Sequence, residues 1–326
     1  MNILYTLNDA FVPQVAAGIT SICENNKDVD DITFYLMSLN IKKENEDKLE
    51  EYVSSYGRKI KFIELNDMQN FFKFKIDTSG WNPIVLARLL LDELIPEDVE
   101  RLIYLDGDTI VRGSLVEMWN TNMGDEAVGA CIEPTCTISR KASLGLKNMP
   151  YHNAGVLLVD MNNWRKNQVG KQIIDYYTAH EGKLFANDQD AINGSLKGHI
   201  VRLSSKYNYC NSFDFYSYKF LSKLVDYDFM TKEEYNEVKA NPIIIHYLGE
   251  ERPWRIGNHH RFRKDYDKYL SMTPWSGENY ESGWRLYFVI WDTFNFVMKP
   301  FSALRYKIID ALIPKFLAHR AKKNKK

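Results

Sequence analysis

Short apolar runs alternate with longer helical segments through the first 105 residues of the chain. Each run has the length and composition of a buried strand. Pro13 stands near the start of the first helical segment, Gly57 follows the second and Pro96 follows the third, which are positions where these residues begin or end helices. The β-α-β-α-β-α-β order predicts an α/β fold, with a mostly parallel sheet and helices on both of its faces. The predicted strands are residues 3–7, 32–37, 59–65 and 101–105, and the predicted helices are residues 12–25, 42–56 and 82–94.

The pattern is less regular beyond residue 108. The stretch 205–240 is rich in Tyr, Phe, Asp and Lys without a clear period, and we interpret it as a mixed loop region on the substrate side. Further predicted strands are residues 127–132, 155–160 and 243–246, and further predicted helices are residues 162–180 and 188–197.

Two carboxylates, Asp106 and Asp108, follow the predicted strand 101–105 and are separated by Gly107. Open α/β sheets place their ligand sites at the carboxyl ends of strands. Two acids there repel each other unless a cation lies between them. Oxygen ligands on such a rim suit Mg²⁺ or Mn²⁺, which can also bind a diphosphate. The alternative for so short a motif is a solvated turn or a helix cap.

His246 ends another apolar run and is a suitable third ligand for the same ion. The alternative is a histidine whose ring is satisfied by a backbone carbonyl. In the loop that follows, Gly249 would let the backbone approach a phosphate and Arg252 would supply donors to its oxygens. Neither a Gly-x-Gly-x-x-Gly turn after the first strand nor a Gly-Lys-Ser/Thr loop is present. A metal held by aspartates would supply the missing phosphate site.

Two further polar segments have both a structural and a functional interpretation. The residues 187–190 open a predicted helix, where acids are typical caps that interact favourably with the helix dipole. The residues 151–155 read as a polar turn before a core strand, or as the place where Asn153 hydrogen-bonds a sugar hydroxyl.

Four segments in this order resemble glycosyltransferase family 8, which includes bacterial lipooligosaccharide α-galactosyl- and α-glucosyltransferases and, more distantly, glycogenin. The segments are YLDGDTIVRGSL, NAGVLLVDMNNW, NDQDAINGSLKG and HYLGEERPW, and the resemblance runs from the first strand to about Trp254. It implies a GT-A fold and retaining transfer of galactose or glucose from a UDP-hexose to a glycan or lipid-linked glycan acceptor. It also implies a requirement for Mn²⁺ or Mg²⁺.

The resemblance also assigns roles to individual residues. The family usually has Lys where this chain has Arg252, and often has Asp where this chain has Asn8. Arg keeps the charge with a different geometry, and Asn keeps an acceptor for the uracil ring. The implied metal ligands are Asp106, Asp108 and His246, the implied donor-sugar residues are Asn153, Asp188, Gln189 and Arg88, and the implied nucleotide and diphosphate residues are Thr6, Asn8, Asp106, Gly107, Gly249 and Arg252.

Retention of the anomeric configuration requires either a covalent intermediate or attack by the acceptor on the face from which UDP departs. The residue at the nucleophile position is Gln189, whose amide is a poor nucleophile. We therefore expect same-face attack, in which a UDP oxygen takes the acceptor's proton. A covalent intermediate on Asp188 is the alternative.

The charges are unevenly distributed along the chain. Its formal net charge is −1, but residues 285–326 hold ten Lys or Arg and two Asp, a net charge of +8, which leaves −9 on the rest. Aromatic residues are interspersed, and Pro300 and Pro314 are expected to break this tail into short helices. We predict a catalytic domain over residues 1–275 and a basic, aromatic segment over 276–326 that binds an anionic membrane surface. The alternative is a helix packed on the body. No nucleic-acid-binding motif is present, so no nucleic-acid partner is expected.

Composition indicates where such a protein works. The four cysteines form no Cys-x-x-Cys pair, the first residues carry no basic leader, and no stretch of about 20 residues lacks charge. A cytoplasmic protein, peripheral on the inner face of the plasma membrane, is expected. Two other functions are alternatives, a metal-dependent sugar nucleotidyltransferase and a non-catalytic nucleotide-sugar-binding module. The first usually has a Gly- and Lys-rich loop near its N-terminus, which residues 4–11 lack.

Overall fold

The computed structural model describes residues 1–65, 67–76, 78, 82–277 and 280–324, with side chains described up to residue 315. The strands are β1 (Asn2–Asn8), β2 (Thr33–Leu39), β3 (Lys59–Glu64), β4 (Arg101–Leu105), β5 (Thr109–Val111), β6 (Val128–Ile132), β7 (His152–Asp160), β8 (Ile200–Leu203) and β9 (Ile244–His246). The α-helices are α1 (Val12–Asn25), α2 (Lys43–Ser55), α3 (Leu91–Leu94), α4 (Val116–Trp119), α5 (Ile138–Ser143), α6 (Met161–Lys166), α7 (Val169–Ala179), α8 (Asn187–Ser195), α9 (Ser212–Phe215), α10 (Tyr218–Leu224), α11 (Lys232–Ala240), α12 (Arg263–Ser271), α13 (Arg285–Met298) and α14 (Ser302–Asn324). Short 3-10 helices cover Asp9–Phe11, Met68–Phe71, Pro83–Leu89 and Ser205–Tyr207.

A seven-stranded sheet in the order β3-β2-β1-β4-β7-β6-β8 forms the centre of the molecule. Its β3-β2-β1-β4 half is parallel and β8 is parallel to β6, while β7 is antiparallel to both β4 and β6. A buried cluster lies on each face of the sheet: Ile3 and Tyr5 of β1 face one cluster and Leu4 faces the other. The predicted α/β fold with a mostly parallel sheet is confirmed.

The antiparallel placement of β7 creates the site. Because β4 and β7 run in opposite directions, the carboxyl end of β4 meets the amino-terminal half of β7, where Leu105 pairs with Val156. The N–H of Asp106 donates to the carbonyl of Gly155 at 2.8 Å. Separately, β5 and β9 form a two-stranded antiparallel sheet in which Thr109 pairs with His246. Both pairings bring residues distant in sequence to the turn after β4.

Several predicted elements were wrong in detail. The predicted helix 162–180 is two helices, because Gln168 takes a left-handed conformation with φ of +51°. The predicted helix 82–94 is a 3-10 helix, Pro83–Leu89, followed by the single turn α3. The strand predicted from residue 155 begins at His152, so the polar turn is wrong. Its polar residues find buried partners: the N–H of His152 donates to Asn193 Oδ1 at 2.8 Å.

The mixed loop predicted over 205–240 is also wrong, because that stretch forms the 3-10 helix Ser205–Tyr207 and the helices α9, α10 and α11. These helices are too short to show a period, although Thr231 and Glu234 form a capping box that the sequence displays. Pro300 lies beyond the end of α13, but Pro314 lies inside α14 and does not break it. Within the described residues, none of the helices combines the length and apolar composition that a bilayer-spanning segment needs.

Candidate active site

Asp106, Asp108 and His246 lie together at the carboxyl end of β4. Each offers one ligand atom, and these atoms are all within 4.8 Å of one another. The Nε2 atom of His246 is 3.2 Å from Asp108 Oδ1 and 3.7 Å from Asp106 Oδ2. Ligand atoms at about 2.0–2.1 Å from one Mg²⁺ ion lie about 2.8–3.0 Å apart at right angles and about 4.0–4.2 Å apart on opposite sides of it, and both distances to Nε2 fall between these values. The spacing and the two-carboxylate, one-imidazole donor set therefore fit a divalent ion such as Mn²⁺ or Mg²⁺.

Gly155 gives this cluster its space. A Cβ at that position would lie 2.1 Å from His246 Cε1 and 2.8 Å from Asp106 Oδ2. Any side chain there would displace the ligand atoms. The cluster therefore depends on the close approach of the β7 backbone as well as on its three side chains.

The charges within the cluster support one another. Burial disfavours a charged ring at His246, but the nearby Asp108 outweighs it, and the pKa of His246 is raised. Burial likewise opposes ionisation of Asp108, but His246 and Arg252 outweigh it, and the pKa of Asp108 is lowered. Negative charge at this site is thus stabilised by nearby cations.

The buried guanidinium of Arg88 joins the acids of the site. Its Nη2 atom is 2.7 Å from Asp106 Oδ1 and its Nε atom is 3.2 Å from Asp188 Oδ2. Its Nη1 atom donates to the carbonyl of Ala154 at 2.7 Å, and its plane stacks on Tyr104 at 4.2 Å from the ring centroid. Burial raises the pKa of Asp188 to about 6 despite this partner. Arg88 therefore fixes the positions of two carboxylates.

Asn153 and Gln189 meet at a carboxylate that sequence reasoning missed. Their amide nitrogens, Nδ2 and Nε2, each donate to Glu133 Oε2 at 3.0 Å. Gln189 Nε2 also donates to the hydroxyl of Tyr151 at 3.0 Å, and Gln189 Oε1 accepts from the N–H of Ala154 at 3.0 Å. Glu133 follows directly after β6, so the signal that pointed to Asp106, a polar residue at the end of an apolar run, was also present there.

Thr6 and Asn8 lie on β1, beside β4. The hydroxyl of Tyr104 donates to Asp106 Oδ1 at 2.7 Å and accepts from Thr6 Oγ1 at 2.9 Å, so Thr6 is connected to the acid cluster. Asn8 Oδ1 is buried and has no hydrogen-bond partner among the described residues. Gly107 packs closely as well, since a Cβ there would lie 3.2 Å from both Phe11 and Val15.

Arg252 extends from the loop after β9 toward the acids. Its Nη2 atom is 3.8 Å from Asp108 Oδ2, and its guanidinium carbon is 5.5 Å from the ring centroids of both Phe11 and Trp254. Gly249 has a φ of +73°, a conformation that favours glycine. The loop therefore places a cation beside the metal-binding cluster.

Residues just before α13 pack against the same loop. Trp254 Nε1 donates to Glu281 Oε1 at 3.0 Å, and Arg255 Nε donates to Glu281 Oε2 at 2.9 Å. The guanidinium carbon of Arg255 lies 3.6 Å from the ring centroid of Trp284. The loop that carries Arg252 is thus held in place by residues beyond position 280.

Known proteins share this arrangement of elements. General stress protein A of Bacillus subtilis is 26% identical over 280 residues, which cover 85% of this chain and 95% of that protein. Lipopolysaccharide 1,2-glucosyltransferase of Escherichia coli K12 is 24% identical over 293 residues, covering 86% and 80%. The structure of the galactosyltransferase LgtC with donor and acceptor sugar analogs superposes with a TM-score of 0.72 at 24% identity, covering 84% of this chain and 96% of that one. This likeness shows the GT-A fold.

The sequence profile described as Glycosyl transferase family 8 matches residues 2–256, an extent that includes the acid cluster, Arg88 and the loop that carries Arg252. The predicted resemblance is confirmed, and the chain belongs to glycosyl transferase family 8.

Proposed function

We propose that this glycosyltransferase is a retaining enzyme that moves galactose or glucose from a UDP-sugar to a glycan or lipid-linked glycan acceptor. The observation that carries the proposal is the cluster of Asp106, Asp108 and His246 at the carboxyl end of β4, with Arg88 and Arg252 beside it. A divalent ion held there would neutralise charge on the diphosphate as UDP departs. Arg252 would bind a phosphate oxygen directly.

The uridine would lie against the end of β1. The N3–H of the uracil ring would donate a hydrogen bond to Asn8 Oδ1, which is buried and has no partner among the described residues. A buried acceptor without a partner is costly, so a ligand N–H there would restore a hydrogen bond that the described residues do not supply.

The hexose would lie among Arg88, Asn153, Asp188 and Gln189. Asp188 would offer carboxylate oxygens to sugar hydroxyls, and its contact with Arg88 would hold it in place. Galactose and glucose differ only in the orientation of one hydroxyl, so the proposal includes both.

The contacts of Gln189 favour same-face attack. Its Oε1 atom accepts from the N–H of Ala154, and its Nε2 atom donates to Glu133 and Tyr151. An amide oxygen already engaged by a backbone donor is a poor nucleophile. The acceptor's proton would therefore pass to a UDP oxygen. Mass-spectrometric detection of a glycosylated peptide containing Asp188 would establish the covalent alternative instead.

UDP release from a panel of UDP-sugars tests the function. We expect release with UDP-galactose or UDP-glucose in the presence of Mn²⁺, its loss with a chelator, and a rate increase when the correct acceptor is added. A sugar nucleotidyltransferase would instead convert a UDP-sugar and added pyrophosphate to UTP and sugar 1-phosphate, without release of UDP. A non-catalytic binding module would bind the UDP-sugar without releasing UDP or free hexose.

The names of two relatives support a proposal for the acceptor class. One similar protein is named as a lipopolysaccharide glucosyltransferase and another as a galactosyltransferase. We propose that the present chain likewise acts in cell-surface glycan synthesis, in the cytoplasm, where UDP-sugars are made.

A membrane surface is the proposed partner of the segment 276–326, while residues 1–275 form the proposed catalytic domain. Phe288 and Met298 of α13 are buried, but the same helix exposes 71% of Leu286 and 81% of Phe296. Val289, Ile290 and Val297 are exposed as well, so one face of α13 packs inward and another presents an apolar stripe. An exposed apolar stripe beside a net charge of +8 suits an anionic bilayer.

Co-sedimentation with vesicles tests this partner. The double substitution Ile290→Glu and Phe296→Glu should abolish binding to phosphatidylglycerol vesicles while UDP release in solution is kept. Ile138→Glu, at an exposed apolar position on the body, is the matched control and should bind as the wild type does. Unchanged sedimentation of the double variant would rule the stripe out as a membrane anchor.

A further inference from the structure

We propose that Asn208 is a positioning residue that keeps the imidazole of His246 in the orientation and tautomer that a metal ion requires. This inference rests on the proposed metal-dependent function and adds a residue that the sequence analysis did not single out. Asn208 is buried, and its amide lies between His246 and Asn153.

Two hydrogen bonds define the place of Asn208. Its Oδ1 atom is 2.9 Å from His246 Nδ1, and its Nδ2 atom donates to Asn153 Oδ1 at 2.8 Å. The result is a chain of side chains that begins at the sugar pocket and ends at the metal-binding cluster.

A backbone group sets the direction of this chain. The N–H of Gly155 can only donate, and the atom it meets at 2.9 Å must therefore be the oxygen of Asn153. The same oxygen receives the second hydrogen bond from Asn208, which must then present its nitrogen to Asn153 and its oxygen to His246. An amide oxygen cannot donate, so His246 Nδ1 must carry a proton.

The metal-facing nitrogen is fixed as a consequence. With the proton on Nδ1, the neutral ring has its lone pair on Nε2, the atom 3.2 Å from Asp108 Oδ1. Histidine ligands are typically oriented by an acceptor on the other ring nitrogen. Asn208 supplies that acceptor here. If the acceptor were lost, the ring would be free to turn over and present Nδ1 to the acids instead of Nε2.

Backbone hydrogen bonds hold the segments that carry Asn208 and His246 together independently of the Asn208 side chain. The N–H of Tyr209 donates to the carbonyl of Ile244, and the N–H of His246 donates to the carbonyl of Tyr209, both at 2.8 Å. A substitution at Asn208 should therefore alter the ring of His246 while the backbone around it stays in place.

Mn²⁺ binding to the full-length protein, measured by electron paramagnetic resonance, tests the proposal independently of turnover. Asn208→Leu keeps the approximate volume but removes both hydrogen bonds, and we expect its Mn²⁺ affinity to fall roughly 10- to 100-fold. Asn208→Asp keeps an acceptor for Nδ1–H but turns its other oxygen toward Asn153 Oδ1, so its affinity should fall by about 10-fold or less, and by less than that of Asn208→Leu.

Asn26→Leu is the matched control. Asn26 is another fully buried asparagine, whose amide bonds Ile22 and Leu115 at the end of α1. Its replacement should lower the melting temperature without changing the Mn²⁺ affinity of the folded protein. A loss of affinity in this control equal to that of Asn208→Leu would show that general destabilisation, not positioning, is responsible.

The ring tautomer gives a second readout, by ¹⁵N NMR of His246 in metal-free protein at an alkaline pH, where the ring is neutral. We expect the proton on Nδ1 in the wild type and a mixture of tautomers in Asn208→Leu. Wild-type affinity in a folded Asn208→Leu variant, or a wild-type proton on Nε2 alone, would overturn the role of Asn208. A wild-type protein that binds no Mn²⁺ at all would instead overturn the proposed metal site, and the two failures are distinguishable.

Discussion

Arg88 and Asp106 form a buried ion pair, with 2.7 Å between the guanidinium Nη2 and the carboxylate Oδ1. Tyr104 donates to the same oxygen at 2.7 Å. Asp106 therefore has one oxygen saturated by protein donors, and its Oδ2 atom is the one that faces His246. Burial alone would lower the pKa of Arg88, but Asp106 and its other neighbours raise it, so the guanidinium keeps its charge.

Arg88→Lys should therefore be damaging despite the conserved charge. A lysine cannot reach Asp106, Asp188 and the carbonyl of Ala154 together, and it leaves at least one buried acid unpaired. We expect a loss of unfolding free energy of about 3 kcal/mol and a fall in kcat/KM of at least about 100-fold. Urea unfolding and UDP-release kinetics measure the two effects. Arg112→Lys, at the more exposed ion pair with Asp265, is the control and should change neither by a comparable amount.

Asp108→Asn tests the metal-binding cluster. The substitution keeps the size of the side chain but removes the charge that a divalent ion needs, so transfer and Mn²⁺ affinity should both fall by about 100-fold or more. The variant should stay folded, with a lower melting temperature, because the carboxylate that lies beside His246 and Arg252 loses its charge. Asp125→Asn, at a fully exposed acid, serves as the control. Near-wild-type turnover of Asp108→Asn would contradict the metal hypothesis.

Glu133→Gln tests the residue that joins Asn153 to Gln189. Both amides donate to the same oxygen, Glu133 Oε2, so the carbonyl oxygen of a glutamine can replace it only as an uncharged and weaker acceptor for the two hydrogen bonds at 3.0 Å. We expect kcat to fall about 10- to 100-fold, with the melting temperature nearly unchanged, because Glu133 is only half-buried. Steady-state kinetics with donor and acceptor varied separately measure the effect. An unchanged kcat would show that Gln189 keeps its orientation without Glu133.

Whether a site residue could be predicted from the sequence depends on the local sequence pattern in which it lies. Asp106 and Asp108 could be found because they follow a buried strand, and His246 because it ends an apolar run. Asn208 gives no such signal, because it follows a 3-10 helix of three residues within an aromatic stretch that has no period. Its role depends on hydrogen bonds to residues 38 and 55 positions away, which periodicity cannot reveal.

The same limit applies to the fold. The bounds of α1 and β4 could be read from the sequence, because Pro13 and the apolar runs mark them locally. The antiparallel direction of β7 could not, because it depends on the pairing of β7 with β4 across the sheet. That pairing nevertheless creates the site, since it brings Gly155 to Asp106.

Arg252 stands where the family usually has lysine. Substitutions at this position should distinguish the contribution of its charge to donor binding from that of its planar shape. Arg252→Ala removes the cation beside Asp108 and should raise the donor KM at least about 30-fold, since a charge-assisted hydrogen bond to phosphate is lost. Arg252→Lys keeps the charge but loses the planar contact with Phe11 and Trp254, and should raise the KM by about 10-fold or less. Initial rates at varied UDP-sugar measure both. Equal effects of the two substitutions would show that stacking, not charge, is the contribution of this residue.

Asp188 should make the stability of the protein depend on pH. Burial raises its pKa from 3.8 to about 6, so the folded state binds the proton more tightly than the unfolded state. The resulting stabilisation is complete below the unfolded pKa, near pH 4, and is lost as the pH rises through about 6. At pH 7 this loss reaches up to about 3 kcal/mol of unfolding free energy.

Asp188→Asn removes this titration. Compared with the wild type, the variant should therefore gain unfolding free energy between pH 4 and pH 7, which urea unfolding at four pH values would measure. Glu251→Gln is an informative comparison, because burial raises the pKa of Glu251 to about 7. The gain in unfolding free energy from this substitution should therefore appear at a higher pH than the gain from Asp188→Asn. A constant difference between wild type and Asp188→Asn from pH 4 to pH 7 would mean that Asp188 ionises in the folded protein at its ordinary pKa. The carboxylate would then be charged whenever the donor sugar binds, and binding of the sugar would show no dependence on pH near 6.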